Sequence, residues 1–519
     1  MHPRSVILTL FTFCMLSAYG QSTVPVDVVQ LSQVTLEKSP LVKRNLLIIN
    51  NAEGALQVQR SAFDYLLFSG FSTGRSELNL YDEDFRRQFV DGGLLNSRST
   101  SASLGLQKAF RSSLRMDLSV SYALSNDNSI LNRFNRTTGE FIGDHTMSSA
   151  FSLTQPLMRG RGRIIATALE EASKLSLESS NDNAVFANSF ELLQTGSTYW
   201  QYVAAFKRLK IFQENEARVR RVLEVTEELV KADKRPAGDL SQVKADLANQ
   251  ERQTKAAEQA LFSARLNLGR AVGLSEDDSK LLGDPIDEFP TIAESGYLSS
   301  INESAFVELA RKNRKDIEAA KKVQESLELR LRLAENDKKA QVDLTGFVNY
   351  GGNTIGNGFG TAFSTFSQAD GRNFGYGVSL NFSFPVNNNR AQGAYVQNQT
   401  ALKDQEIANS NLQRNIDLNV SIALNNLSNS IQVLEKAKES LDFYQEVYNN
   451  EQIKFKNGLT ILLNLIQFQE RLTFAELEYL SAKQQFAVAI INLRYETGTL
   501  LAGQGSSSIN KSLFYTIPL

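Results

Sequence analysis

The 519-residue chain carries 55 basic and 57 acidic side chains, a formal charge of −2, and the two signs are interleaved along its length. Phosphate binding needs a basic surplus or a basic stripe, so this balance argues against nucleic acid as a partner. One cysteine and two histidines leave little room for thiolate or imidazole chemistry, and nine prolines suit long uninterrupted helices.

The chain opens with Arg4, an apolar run from Ser5 to Leu16, and small residues at Ala18 and Gly20. This reads as a secretory signal peptide over 1–20, cut before Gln21, because the apolar run is too short to span a bilayer. Cys14 lies inside that run, too early for a lipoprotein cleavage site, so no lipid anchor is expected. The processed chain would keep no cysteine and one histidine, His145. No later stretch reads as a membrane helix. The longest charge-free run, Leu344 to Ala369, holds six glycines and many Asn, Ser and Thr.

Period-two alternation then appears at 62–72, 100–110, 113–125 and 145–157. In Ser113 to Leu124, Leu114, Met116, Leu118, Val120 and Tyr122 oppose Arg115, Asp117, Ser119, Ser121 and Ala123. A stretch from 163 to 232 follows with three- and four-residue apolar spacing and no proline. It predicts a helix on the order of 100 Å, which must pack on neighbours along its length. The polar break Lys234-Arg235-Pro236-Ala237-Gly238 leads into a second helix ending near Gly273, and 274–299, with Pro285 and Pro290, reads as a linker.

The second half repeats this order. Strands are expected at 342–352 and 373–385, the second with Phe374, Tyr376, Val378, Leu380 and Phe382 on one side and Gly and Ser or Asn on the other. The glycines at 351–360 read as the intervening loop. A helix from 391 to 456 carries the face Ile416, Val420, Ala423, Leu427, Ile431, Leu434. Asn457-Gly458 breaks it, a further helix ends near Gly498, and 499–519 is a tail. Asn249-Gln250-Glu251-Arg252 resembles Phe468-Gln469-Glu470-Arg471 at an offset of 219. Arg265 to Gly273 spans 8 residues against 15 from Lys483 to Gly498, one heptad apart, which preserves a coiled-coil seam. A tandem duplication is expected, with units 21–273 and 300–498.

The strands have lengths and aromatic faces suited to a bilayer. A barrel in lipid cannot leave open edges, and single-chain barrels begin at eight strands. Four to six strands cannot close alone, so several chains must contribute, and three chains giving four strands each would make twelve.

Helix, strands, long helix, turn and helix, written twice, resemble the TolC family of outer-membrane efflux proteins. The details that match are Ser152-Leu153-Thr154-Gln155-Pro156-Leu157 with Gly160, Phe382-Ser383-Phe384-Pro385-Val386, the pair Tyr199-Trp200, and Gly458-Leu459-Thr460. The resemblance implies a mainly α chain with a membrane β-barrel. The trimeric outer-membrane barrel, four strands per chain, would run into a long periplasmic α-helical coiled-coil barrel. It further implies a homotrimer in outer-membrane lipid, docked to a periplasmic adaptor (membrane fusion) protein and, through it, an inner-membrane transporter. Carried over by position, the adaptor-docking tip is Gly238, Asp239, Leu240, Gly458, Leu459 and Thr460. Where the family commonly has acidic residues at its constriction, this chain has Asn464 and Gln467, so a trimer would present amide rings with weaker cation attraction. Asp239 or Asp246 could supply acid instead, and all four could equally be solvated helix-surface residues.

The family expects two barrel strands per half, whereas the first half offers four. Either 113–125 pairs with 145–157, or 62–72 does and the hairpin 99–125 stays outside the barrel. No catalytic constellation, cofactor site or metal site is visible, and His145 reads as a surface or barrel-rim residue. The expected role is a passive exit duct for efflux or type I secretion. The competing readings are a barrel-anchored structural or adhesive coiled coil without a conduit and, more remotely, a secreted enzyme.

Overall fold

The computed structural model describes residues 24–128, 143–297, 302–356, 360–361, 364, 373–501 and 509–518; the expected signal peptide lies outside them. The chain divides into two compact units. One holds the described residues up to Leu47 together with Asn183–Asp316 and those from Leu412 onward; the other holds Ile48–Asp182 and Ile317–Asn411.

The second unit contains a six-stranded antiparallel sheet in the order β2 (Tyr65–Asn79), β3 (Leu94–Ala109), β4 (Arg115–Asp127), β5 (Gly143–Pro156), β7 (Gln341–Gly356) and β8 (Phe374–Ser383). All six expected strands therefore form, and in one sheet, so the sheet holds six strands where the resemblance implies four per chain in the barrel. The pairing of 62–72 with 145–157 does not occur. β4 pairs with β5, from Arg115 opposite Thr154 to Ser125 opposite Asp144, while β2 runs along β3 from Tyr65 opposite Lys108 to Asn79 opposite Leu94. The reason is local: Ser113, at φ 75°, turns the chain tightly between Phe110 and Leu114, so β3 and β4 form a hairpin before any longer loop can close. β7 runs on to Gly356, so the first glycines taken for a loop are strand.

His145 is not a surface residue. It is 3% exposed, and its ring meets the Tyr122 hydroxyl at 2.8 Å and the Gly356 carbonyl at 3.0 Å across two strands. At the exit of β5, Pro156 ends the ladder and Gly160 takes φ 79°, a conformation that suits glycine. The Gly160 amide donates to Asn336 and the Gly162 amide to Ser113 Oγ, which tie this bend down.

The long helices form as their spacing predicts: α3 (Ala168–Lys231), α4 (Ala237–Val272), α7 (Asn389–Lys456) and α8 (Leu462–Glu496). At 64 and 68 residues, α3 and α7 are about 100 Å long. α4 and α8 have 36 and 35 residues, and the glycines expected at their ends, Gly273 and Gly498, follow them at φ 84° and 69°. The face Ile416, Val420, Ala423, Leu427, Ile431, Leu434 is buried throughout.

The first unit also holds α1 (Val28–Lys38) and a short parallel pair, β1 (Val24–Val26) with β6 (Leu282–Pro285). Within the expected linker, the described residues 274–297 are thus packed, not loose. Asp287, in its middle, is 8% exposed and accepts hydrogen bonds from the Val28 amide at 2.9 Å, the Tyr199 hydroxyl at 2.8 Å and the Tyr515 hydroxyl at 3.1 Å. One carboxylate thereby joins the start of α1, the middle of α3 and the C-terminal tail. Burial, reinforced by the Asp287 charge, pushes both phenols far above the ordinary tyrosine range, so they remain donors at any ordinary pH. Asp287→Ala would orphan these donors at a cost of about 2–3 kcal/mol. It should lower the thermal midpoint of the purified protein clearly more than Asp287→Asn, which keeps an acceptor; equal midpoints would show that the carboxylate carries no such load.

Candidate functional site at the hairpin turns

The α3–α4 and α7–α8 turns lie in the first unit and are built by the same device. The Gly458 amide donates to Phe455 and the Leu459 amide to Lys454, closing a Schellman motif with Gly458 at φ 74°. In the first turn the Asp233 amide donates to Val230 and the Lys234 amide to Leu229, with Asp233 at φ 54°. The left-handed residue there is Asp233, and Gly238 lies in the first turn of α4 behind Pro236, which opens that helix. The glycine expected at the first tip is therefore a helix residue.

Thr460 joins the two turns. Its carbonyl accepts from the Arg235 guanidinium, which also lies over the Phe455 ring at 4.7 Å and within 3.9 Å of Asp239. Its hydroxyl donates to Glu451 and accepts from the Asn464 amide at 3.2 Å. The bond from Thr460, with help from Lys454 and against the opposing pull of burial, holds the Glu451 carboxyl below the usual glutamate range. Asp239, Thr460 and Asn464 are thus gathered round Arg235, whose role the sequence did not disclose: its partners Phe455 and Thr460 lie more than two hundred residues away. Leu459 is 75% exposed, Ile461 56% and Leu463 45%, so the second turn presents apolar surface. Gly238 is exposed and Leu240 half-buried beside it.

Gln467 and Asp246 are not part of this cluster. Gln467 lies exposed on α8, whereas Asp246 is half-buried and accepts from Gln250 at 2.9 Å. Gln250 in turn accepts from Asn215 at 2.8 Å, and Asn215 accepts from Gln469 at 2.9 Å. This buried ladder ties α3, α4 and α8 together. Gln250 and Gln469 are the same position in the two repeated segments, meeting on one asparagine. Around it pack Val219, Val222, Val243, Tyr448, Leu465 and Leu472. Among the described residues no group of three or more His, Cys, Asp or Glu could hold a metal ion, and no helix is long and apolar enough to cross a membrane.

Comparison with known proteins agrees with this architecture. Residues 306–499 match the family described as outer membrane efflux protein. The fold is similar to that of the outer membrane protein VceC from Vibrio cholerae, at TM-score 0.62 and 13% identity over 91% of this chain and 96% of that one. The CmeC outer membrane channel of Campylobacter jejuni gives 0.64 and 13% over 95% and 92%. The open state of the Neisseria gonorrhoeae MtrE outer membrane channel gives 0.60 and 14% over 95% and 96%. No curated protein matches the chain in sequence. The fold is that of an outer-membrane channel, a sheet portion joined to a larger helical portion. Its second half, over 306–499, is similar in sequence to outer membrane efflux proteins, and the chain as a whole shares the fold of these channels.

Two outcomes test the site. Asn215→Leu or Gln469→Leu strands a buried amide at about 1–3 kcal/mol each, and the double variant should cost less than the sum because the first change already breaks the ladder. Thermal midpoints of all three variants check this; strict additivity would show that the two amides do not interact. Since the Glu451 pKa is depressed, the clamp on Thr460 is complete above the ordinary value of 4.5 and lost as pH falls through the lowered value. Hydrogen exchange over 457–464 should therefore lose protection below about pH 4.5, and Thr460→Val should remove that dependence.

Proposed function

We propose that this chain is the outer-membrane exit duct of a tripartite efflux or type I secretion system. Three copies form the duct, each contributing membrane strands and both hairpins, and each chain is a tandem duplication of units 21–273 and 300–498. The hairpin turns Gly238-Asp239-Leu240 and Gly458-Leu459-Thr460 dock a periplasmic adaptor, and an inner-membrane transporter supplies the energy. The observation that carries the reading is the turn pair itself: exposed Leu459, Ile461 and Leu463 beside the Arg235 clasp on Thr460. An apolar, turn-shaped end suits capture by another protein, and a clasp between hairpins suits a gate that opens when they part. Asn464 and Gln467 face the constriction in this reading, with Asp246 set back from it in the amide ladder.

Single-channel conductance of the purified protein tests this directly. Arg235→Ala removes a cation–π contact and a charge-assisted hydrogen bond, together about 1–2 kcal/mol, so the open-to-closed ratio should rise about 5- to 30-fold. Asn464→Asp should raise cation preference. A protein that never conducts, including with the clasp removed, would instead support a barrel-anchored structural role.

A further inference from the structure

The six-stranded sheet carries a consequence for the membrane part. Residues directly opposite each other on paired strands share a face, so the registers define rows running across all the strands. One row reads Leu67, Leu106, Leu118, Phe151, Val348, Tyr376. It is apolar on every strand, and its members on the outermost strands, Leu67 and Tyr376, are 68% and 78% exposed. Three residues further along β2, on the opposite face, the row Gly70, Ser103, Ser121, Ser148, Gly351 is small and polar throughout. Hydroxyl pairs Ser72–Ser101 and Ser121–Ser148 line that same face at 2.8 and 2.7 Å.

From Ser69 to Thr73 the two added strands, β2 and β3, share the division into a lipid-suited and a water-suited face of β4, β5, β7 and β8, while Leu66, Phe68 and Leu78 add apolar side chains to the second face of β2. A hairpin held in water outside the membrane has no use for Tyr65, Leu67 and Phe71 exposed on one side. Nor is the edge of β4 free, because β3 occupies it from Ser97 opposite Asp127 to Ala109 opposite Arg115. The unpaired edges belong to β2 and β8. Six antiparallel strands are an even number, so β8 of one copy runs opposite to β2 of the next and can continue the alternation without a fault. In hydrocarbon those edges cannot stay open.

We propose that the outer edge of β2 docks onto the outer edge of β8 of a second copy of this chain, so that three copies close a barrel of eighteen strands, six from each. This rests on the trimeric duct reading above. At strand spacings near 4.8 Å and a tilt near 40°, such a barrel measures about 36 Å between opposite strand axes, against about 24 Å for twelve strands. The membrane opening is then wide enough for cargo bulkier than a twelve-stranded barrel passes, and the gate lies elsewhere, at the hairpin turns.

Disulfide trapping in isolated outer membranes tests the edge. In a Cys14→Ser background, Val378→Cys on β8 is combined in turn with Ser69→Cys, Phe71→Cys or Thr73→Cys on β2, and separately with Leu118→Cys, Val120→Cys or Tyr122→Cys on β4. A β2–β8 combination should yield covalent dimers and trimers on denaturing gels, with none from β4–β8; the reverse pattern overturns the proposal. Electron cryomicroscopy of the wild-type oligomer in nanodiscs gives the second reading. Eighteen strands are expected. A conducting three-fold particle with twelve strands defeats the wide barrel and leaves the duct intact, whereas a particle without three-fold symmetry or conductance defeats the duct reading itself.

Discussion

Backbone amides and carbonyls placed in hydrocarbon must find partners, and in the proposed duct the organisation of the sheet follows from that requirement. Within the chain the sheet meets it through five consecutive antiparallel ladders, from β2 through β8. What remains are two long edges in a protein whose sheet face is rich in exposed Leu, Phe, Tyr and Val. An edge strand in water can be blunted with charge or proline. β8, from Phe374 to Ser383, carries neither, and β2 carries charge only at Arg75 and Glu77, near its far end. In the proposed duct a neighbouring copy covers each of these edges, which makes association a condition of the barrel and not an addition to it.

The helical part obeys a different economy. Its helices are too long and too weakly amphipathic to stand alone, and the chain has no cysteine outside Cys14 to cross-link them. Apolar stripes such as Ile416 to Leu434 supply the burial, but a stripe of similar side chains does not by itself determine register. Buried polar groups do. The Asn215 ladder matches α3 to α4 and α8 at one level, because sliding any helix by a turn would leave amides unpaired. Asp287 does the same where α1, α3 and the tail converge. Arg314 is a third such point: burial opposes its charge, yet the bond it donates to Asp316 and the charges of Asp316 and Glu496 leave its pKa raised, and it lies over the Phe186 ring at 4.6 Å.

Much of this was legible in the sequence, for a physical reason. Period two and period 3.6 are imposed by backbone geometry, so all six strands and four long helices could be placed, although β2 runs seven residues beyond its expected end and β3 starts six before its expected start. The fold class and the outer-membrane reading came from their order. Pairing was less accessible: which strand lies beside which depends on closure entropy and on Ser113 adopting a left-handed turn, and a serine gives little warning of that. The segment 274–299 looked like a linker because of its prolines, although Thr291 and Glu294 already spelled a capping box that the structure uses. At the tips the glycine rule located Gly458 correctly and misplaced the first turn, where an aspartate fills the left-handed position. Arg235 could not have been found, since neither its ring partner nor its acceptor is local.

Taken together, the polar groups of this chain are spent on holding geometry. Asp287, Asn215, Gln250, Gln469, Glu451 and Arg235 each satisfy a neighbour. His145 illustrates the point: both ring nitrogens are engaged, by Tyr122 and by the Gly356 carbonyl, so the single imidazole among the described residues is a brace between strands. In the proposed duct, the shape that these groups hold is the working part. That shape has two independent settings, the width of the membrane opening, determined by how many strands each copy lends, and the state of the tip, determined by whether the Arg235 clasp holds. Separating them would let a wide membrane opening coexist with a tight periplasmic seal, because the residues that make one are not the residues that make the other.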